Sequence, residues 1–182
     1  MKITRCDIAG LLIIEPKLFG DARGFFLETW NEQRYREAGL DLHFVQDNIS
    51  SSRRGTLRGL HFQNPKSQGK LVWVIEGEVF DVAVDLRRSS PTFGRWHGLN
   101  LSGQNRLQFY VPRGFAHGFA VLSETALFAY KCTDSYSPKD ELTLSWDDPD
   151  VGVKWPLSDP VLSEKDKKGV RLKDLPPDRL FA

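Results

Sequence analysis

The sequence is short of cysteine and of long hydrophobic runs. Its 182 residues include two cysteines, Cys6 and Cys132, which cannot form a disulfide framework and suit a reducing cytosol. The longest early apolar run, at residues 11–14, is far shorter than the about 20 residues that cross a bilayer. The first residues also lack the apolar stretch of a signal peptide. We therefore expect a cytoplasmic protein.

Neither sign of charge is in excess. The chain has 25 basic and 24 acidic residues, so its composition gives no reason to expect nucleic acid or an anionic membrane as a partner. A chain of this length normally forms one core and needs no disulfide or metal to compensate for small size. We expect a single domain over residues 1–182.

Several catalytic signatures are missing as well. The sequence contains no glycine-rich dinucleotide fingerprint, no phosphate-binding loop, no zinc-protease helix and no nucleophile-elbow serine. Any chemistry must therefore depend on scattered polar side chains carried by other elements.

What the chain does contain is mostly strand pattern. One helix is predicted over residues 32–38, with Asn31 as its N-cap and Gly39 at its end. Many short strands with few helices predict an all-β sandwich or barrel. The strand candidates are residues 56–62, 71–75, 79–86, 96–101, 107–111, 115–122 and 126–131.

Three local patterns refine this fold. Apolar residues at 80, 82, 84 and 86 alternate with Asp81, Ala83 and Asp85, which predicts a half-buried strand. Residues 76–78 form a glycine-containing link that suits a hairpin turn. From Trp146 onward, turn-forming dipeptides predict a mostly irregular tail over the barrel.

A histidine lies in the first polar strand candidate. Alternation along the strand places His61 on one face with Gly59 and Gln63, and Arg58 on the other. A histidine beside a glycine and a glutamine suggests a polar cavity. The alternative is a structural histidine that is hydrogen-bonded inside the barrel.

A second histidine follows a tight turn. Pro112-Arg113-Gly114-Phe115-Ala116-His117 is the second sequence signature of the cupin fold. The first cupin signature would need a His-x-His pair, and here that pair is His61-x-Gln63, followed by Lys70. A protonated lysine cannot ligate a cation, and two histidines are too few for a usual metal site. The pattern predicts a cupin-type barrel without its metal, although His117 could equally be structural.

Two further places remain ambiguous from the residues alone. Tyr130 and Tyr136, in a strand candidate and its following loop, could each be packing groups. In the tail, Ser163-x-x-Asp166 has the spacing of a helix-start capping box, which we favour over a catalytic role on this evidence alone.

Together these segments resemble the dTDP-4-dehydrorhamnose 3,5-epimerase family of nucleotide-sugar epimerases. The resemblance spans nearly the whole chain in the order of the family's motifs. It is carried by residues 19–28, 44–48, 57–63, 68–72, 79–87, 112–119, 130–133, 146–149 and 162–166.

The resemblance implies a cupin-like jelly-roll barrel, a homodimer without metal or redox cofactor, and inversion of carbons 3 and 5 of dTDP-4-keto-6-deoxyglucose. It implies His61 as base, Asp166 as its partner, Tyr130 as acid and Lys70 near the keto oxygen, with Tyr136 stacking on thymine. The remaining implied nucleotide and sugar contacts are Arg23, Glu28, Gln46, Asn48, Arg58, His117, Glu141 and Lys165.

Other functions remain open at this point. Close relatives invert only one of the two carbons or process other deoxysugar nucleotides. A non-catalytic cupin could bind a sugar nucleotide as a sensor, although a binder needs neither base nor acid. A metal-dependent cupin oxygenase or isomerase is the third alternative.

Overall fold

The computed structural model describes residues 1–182, which form thirteen strands and one α-helix. The helix α1 spans Glu32–Glu37. The strands are β1 (Lys2–Arg5), β2 (Leu12–Glu15), β3 (Leu18–Asp21), β4 (Gly24–Leu27), β5 (Gln46–Arg53), β6 (Leu57–Gln63), β7 (Lys70–Glu76), β8 (Glu78–Asp85), β9 (Trp96–Ser102), β10 (Gln108–Val111), β11 (Phe115–Val121), β12 (Thr125–Cys132) and β13 (Glu141–Thr143). No helix is long and apolar enough to span a membrane.

The strands form two antiparallel sheets that pack face to face. One sheet has the order β1-β2-β10-β7-β12-β5 and the other has β13-β6-β11-β8-β9, while β3 and β4 form a separate hairpin. The main apolar core takes side chains from both sheets, including Val72 and Phe128 from the first and Ala83 and Phe119 from the second. The predicted all-β architecture is confirmed.

The predicted helix is confirmed with its caps. The side chain of Asn31 accepts a hydrogen bond from the backbone N–H of Arg34 at 3.1 Å. Gly39 follows the helix with a φ of +89°, a backbone conformation that disfavours residues with a Cβ. All seven strand candidates are found. Strands β1–β5 and β13 were not predicted. The residues of β5 are exposed or partly buried and nearly all polar, so they carry no strand pattern.

Residues 76–78 do not form a hairpin turn, contrary to the prediction. Strands β7 and β8 on either side belong to different sheets, so the link is a corner between the sheets. Gly77 has a φ of +84°, and a Cβ there would collide with the carbonyl oxygen of Thr125. The glycine is required by this close approach and not by a paired turn.

Strand β8 is buried on both faces, so the prediction of a half-buried strand was wrong. Asp81 and Asp85 have no exposed surface and lie on the face that turns into the barrel. The apolar side chains Val82 and Val84 lie on the opposite face and pack in a second cluster with the tail residue Leu175. The tail therefore covers a sheet face that would otherwise contact solvent.

The tail is irregular and lies over the barrel, as predicted. Its only helical segments are three short 3₁₀ turns, at Asp166–Lys168, Leu172–Asp174 and Pro177–Arg179. It is held by isolated bridges to the barrel, among them Thr56 with Val161 and Leu144 with Val170. The bridges lie before the start of β6 and after the end of β13, and they hold the segment containing Asp166 against β6.

Candidate active site

A cavity of about 350 Å³ opens between the two sheets at one end of the barrel. This volume is within the range of small-molecule sites. Most of the residues predicted for the site line it: Gln46, Asn48, Arg58, His61, Lys70, His117, Tyr130, Tyr136, Glu141 and Lys165. Side chains from both sheets thus meet around one chamber.

A bulge in β6 brings Arg58 and His61 to the same cavity. His61 is opposite His117 in the register, whereas Arg58 is opposite Phe119, so β6 contains one extra residue between these pairs. The extra residue reverses the side-chain alternation, which is why the prediction that Arg58 faces away from His61 was wrong. Gly59 lies at the bulge, where a Cβ would come within 2.6 Å of the Cα of Gly118.

His61 is paired with a carboxylate from the tail. Its Nε2 lies 2.6 Å from Asp166 Oδ1, and the two side chains are 23% and 4% exposed. Ser163 Oγ donates to Asp166 Oδ2 at 2.7 Å, and the backbone N–H of Gly59 donates to the same carboxylate. The other ring nitrogen, Nδ1, has no hydrogen-bond partner in the protein, so it remains available to a ligand in the cavity.

Burial and pairing act in opposite directions on this pair. Burial lowers the pKa of His61, and the hydrogen bond to Asp166 offsets part of this effect. Burial alone would raise the pKa of Asp166, but the hydrogen bonds from His61, Ser163 and Gly59 lower it overall. At neutral pH the result is a neutral imidazole held by an ionised carboxylate, which is the arrangement of a general base.

Tyr130 enters the cavity from the opposite sheet. It lies on β12 and packs against Phe128, whose ring is 6.0 Å away and in turn stacks on Phe119 at 4.1 Å. Its hydroxyl has no hydrogen-bond partner in the protein. Burial raises the pKa of Tyr130, so the phenol is protonated at neutral pH and can donate a proton.

Lys70 lies at the start of β7, where its register partners are Val111 and Cys132. Its ammonium lines the cavity without a salt bridge or a hydrogen bond. Burial lowers the pKa of Lys70, while the charges of Cys132, Glu141 and Asp81 act in the opposite direction. A cation without a protein partner can donate to an oxygen atom of a ligand.

A second histidine–carboxylate pair lies beside the first. His117 Nε2 is 2.9 and 3.1 Å from the two oxygens of Asp81, whose side chain is completely buried. Burial raises the pKa of Asp81, and the pairing with His117 opposes this. Asp81 was not identified from the sequence, because the alternation of β8 suggested a solvent-facing carboxylate.

A chain of hydrogen bonds forms the rim. Tyr136 donates through its hydroxyl to Glu141 at 2.8 Å, and Lys165 donates to the other oxygen of Glu141 at 2.9 Å. The backbone N–H of Tyr136 donates to Gln46, which donates to Asn48. Because Tyr136 is 51% exposed, its ring is free to contact a ligand at the mouth of the cavity.

Three predicted site residues do not line the cavity: Asp166, which is held against His61, and Arg23 and Glu28, which pair elsewhere. Arg23 is 89% exposed in the β3–β4 hairpin and pairs with Asp21, and Glu28 pairs with Arg34. Arg58, in contrast, lines the cavity and donates to Ser52 Oγ at 2.9 Å. One chain therefore assembles most of the predicted site but not Arg23 and Glu28.

Some lining residues were not identified from the sequence. Cys132 and Ser50 were given no role, although residues 130–133 belong to a motif of the family resemblance, and Ser163, beside the cavity, was interpreted only as a cap. Ser163 Oγ does accept a hydrogen bond from the backbone N–H of Asp166 at 3.1 Å. The capping interaction is therefore present at the same time as the contact between Asp166 and His61. No group of three or more His, Cys, Asp or Glu side chains is arranged to hold a metal ion.

Comparisons with known proteins agree over nearly the whole chain. The model of the family described as dTDP-4-dehydrorhamnose 3,5-epimerase matches residues 5–174. Proteins of that name from Pseudomonas aeruginosa and Methanothermobacter thermautotrophicus are 54% and 51% identical, each over 96% of this chain and 97% and 96% of their own. A crystal structure of dTDP-6-deoxy-D-glucose-3,5-epimerase from Legionella pneumophila, in complex with dTDP-4-keto-L-rhamnose, is 52% identical with a TM-score of 0.96 over 99% of this chain and 97% of its own. The expected cupin-like fold is confirmed.

Proposed function

The chain belongs to the dTDP-4-dehydrorhamnose 3,5-epimerase family, and we propose that the cavity between its sheets is where the reaction takes place. The enzyme inverts carbons 3 and 5 of dTDP-4-keto-6-deoxyglucose and yields dTDP-4-keto-L-rhamnose for dTDP-rhamnose biosynthesis. The observation that carries the proposed mechanism is a histidine–carboxylate pair and a tyrosine that enter one cavity from opposed sheets.

The chemistry requires two groups on opposite faces of the sugar. Carbons 3 and 5 both flank the carbon 4 ketone, so removal of either proton gives an enolate. Inversion follows when the proton is taken from one face and another is returned to the opposite face. One pair of groups can therefore act on both carbons.

His61 is the proposed base. Its free Nδ1 accepts the proton from carbon, and Asp166 at Nε2 fixes the tautomer and stabilises the imidazolium that forms. The lowered pKa of His61 keeps the imidazole neutral at neutral pH, so it is ready to accept a proton.

Tyr130 is the proposed acid, and Lys70 the proposed donor to the enolate oxygen. The raised pKa of Tyr130 keeps its hydroxyl protonated until it delivers the proton to the opposite face. The Lys70 ammonium has no protein partner and can donate to the charge that develops on the keto oxygen. Removal of such a donor typically costs on the order of 10²–10³ in turnover.

The remaining polar side chains of the cavity are suited to bind a nucleoside diphosphate. We propose that Arg58 and His117 contact the diphosphate and sugar, with Lys165 also available at the rim. Tyr136 presents an exposed ring on which thymine can stack, an interaction worth roughly 1–3 kcal/mol per base. Gln46, Asn48 and Glu141 complete the proposed set of nucleotide and sugar contacts.

A homodimer would account for Arg23 and Glu28. The β3–β4 hairpin belongs to neither large sheet and leaves Phe25 and Phe26 59% and 66% exposed, and β5 is an edge strand with an exposed Ile49. Exposed apolar surface and an open strand edge each favour association with a second copy. We propose that this hairpin brings Arg23 and Glu28 to the cavity of the other copy. Light scattering of the unaltered chain should give twice the chain mass, and a single-chain mass would contradict the proposal.

We also propose that residues 1–182 act as one epimerase domain in the cytoplasm. Cys6 and Cys132 are both free thiols, as a reducing compartment favours.

Proton NMR in heavy water tests the function directly. With dTDP-4-keto-6-deoxyglucose, the enzyme should replace the hydrogens on carbons 3 and 5 by deuterium and produce the rhamno sugar. Deuterium at one carbon only would indicate a single epimerase. Tight binding without exchange would indicate a sensor, and full dependence of exchange on stoichiometric iron or zinc would indicate a metal-dependent cupin.

A further inference from the structure

Ser163 makes two hydrogen bonds to the residue that supports the proposed base. Its hydroxyl donates to Asp166 Oδ2 at 2.7 Å and accepts from the Asp166 backbone N–H at 3.1 Å. The first bond occupies the carboxylate oxygen that His61 does not use. The hydroxyl is therefore placed to fix the rotation of the carboxylate.

Ser163 does not reach the substrate cavity. It lines a second crevice, of about 290 Å³, which shares Arg58, His61 and Lys165 with the main cavity but not Ser163 or Asp166. The wall of that crevice includes Leu162 and Val161 from the tail and Leu57 from β6. Because the Ser163 hydroxyl makes hydrogen bonds to Asp166 alone, we expect its effect on the reaction to pass through Asp166.

We propose that Ser163 is a positioning residue for the epimerase, holding Asp166 so that Oδ1 faces His61. This inference rests on the proposed role of His61 as the base. Without the hydroxyl, the carboxylate of Asp166 can rotate, and water in the crevice can compete for both of its oxygens. His61 would then be poorly oriented for proton removal, while the substrate contacts in the main cavity would stay the same.

The matched pair Ser163→Thr and Ser163→Val tests the inference. Both variants add similar bulk, but only threonine keeps the hydroxyl. We expect Ser163→Val to lower kcat by about tenfold or more with little change in KM, because hydrogen bonds to charged groups typically correspond to factors of this size. Ser163→Thr should stay within about threefold of the unaltered enzyme, since its hydroxyl can make the same bond.

A second serine controls for the loss of a Ser–Asp bond in general. Ser145 Oγ donates to Asp147 at 2.6 Å at an exposed site outside both cavities. Ser145→Ala should leave kcat unchanged. If Ser163→Val and Ser163→Thr have the same kcat, the hydroxyl does not position Asp166 and the inference is wrong.

The pH profile adds a measurement that a merely structural role would not change. The titratable and charged groups around His61 are Asp166 and Lys165 from the tail, Arg58 from β6, Lys70 from β7, His117 from β11 and Glu141 from β13. Ser163→Val should move the acid limb of kcat to lower pH, because His61 loses part of its contact with Asp166. An unmoved limb would overturn the inference. Absence of epimerase activity in the unaltered chain would instead contradict the proposed function, so the two failures are distinguishable.

Discussion

Two histidine–carboxylate pairs lie next to each other in the cavity, and their surroundings differ. His61 and His117 are register partners on neighbouring strands, and each bonds through Nε2 to an aspartate. Asp166 belongs to the tail and accepts two further hydrogen bonds, whereas Asp81 belongs to β8 and has no side-chain partner other than His117. The same two residue types are thus placed in two electrostatic environments.

The two carboxylates show the consequence. The pKa of Asp166 is lowered because three donors surround it, and the pKa of Asp81 is raised because burial outweighs its single partner. His61 is also more exposed to the cavity than His117, at 23% against 8% of the side chain. We infer that the pair with the more exposed histidine and the well-bonded carboxylate carries out proton transfer, and that the more deeply buried pair shapes the site.

The largest expected effect separates the two histidines. His61→Asn should reduce deuterium exchange at carbons 3 and 5 by about 10⁴-fold, because it removes the proposed base while asparagine retains a donor for Asp166. His117→Asn should mainly raise KM, because it changes a proposed contact with the diphosphate and sugar. The asparagine amide can still donate to Asp81, so the buried carboxylate keeps a partner. NMR exchange rates and steady-state kinetics measure both. Equal losses of kcat in the two variants would contradict the distinction.

Substitution of Tyr130 gives the next largest effect, and it tests the assignment of this residue as the acid. Tyr130→Phe should reduce inversion by about 10²–10⁴-fold, while His61 still removes protons and exchange continues without inversion. Product analysis and deuterium content are measured in the same sample. A parallel loss of exchange and inversion would argue against Tyr130 as the acid.

Substitutions of the two carboxylates should differ in kcat by a smaller factor than those of the histidines. Asp166→Asn should lower kcat by about 10- to 100-fold, the range expected for loss of a charged hydrogen bond, with little change in thermal stability. Asp81→Asn should change kcat less, because the raised pKa of Asp81 already reflects a poorly stabilised charge. If Asp166→Asn instead lowers stability and spares kcat, the residue serves only the capping interaction with Ser163.

The sequence predicted the central strands β6–β12, missed β1–β5 and β13, and predicted the side-chain facing less well. The motifs around His61 and His117 identified the cavity, because those residues are polar where strands of a barrel are normally apolar. Arg58 was placed on the wrong face, since one extra residue in β6 reverses the alternation and nothing in the local pattern marks it. Periodicity describes a regular strand and carries no information about a bulge.

Asp81 shows a second limit of local pattern. Its alternation with apolar neighbours suggested exposure, but the tail covers the apolar face of β8 and the carboxylate turns inward to His117. That outcome depends on contacts between residues far apart in the chain. The pairing of Asp166 with His61 likewise spans 105 positions and was expected only from the family resemblance.

The smallest effect is a shift in pH dependence, which compares the two carboxylates without removing either histidine. Burial lowers the pKa of His61, so the base is active at neutral pH and kcat should fall only as pH drops through that lowered value, below about 6.5. The bond to Asp166 raises the pKa of His61, so Asp166→Asn should move the acid limb further down. Asp81→Asn should leave the limb in place, because Asp81 bonds to His117 and not to His61. Profiles of kcat against pH for the three enzymes measure this, and a limb that moves with Asp81 would show that the two pairs titrate together.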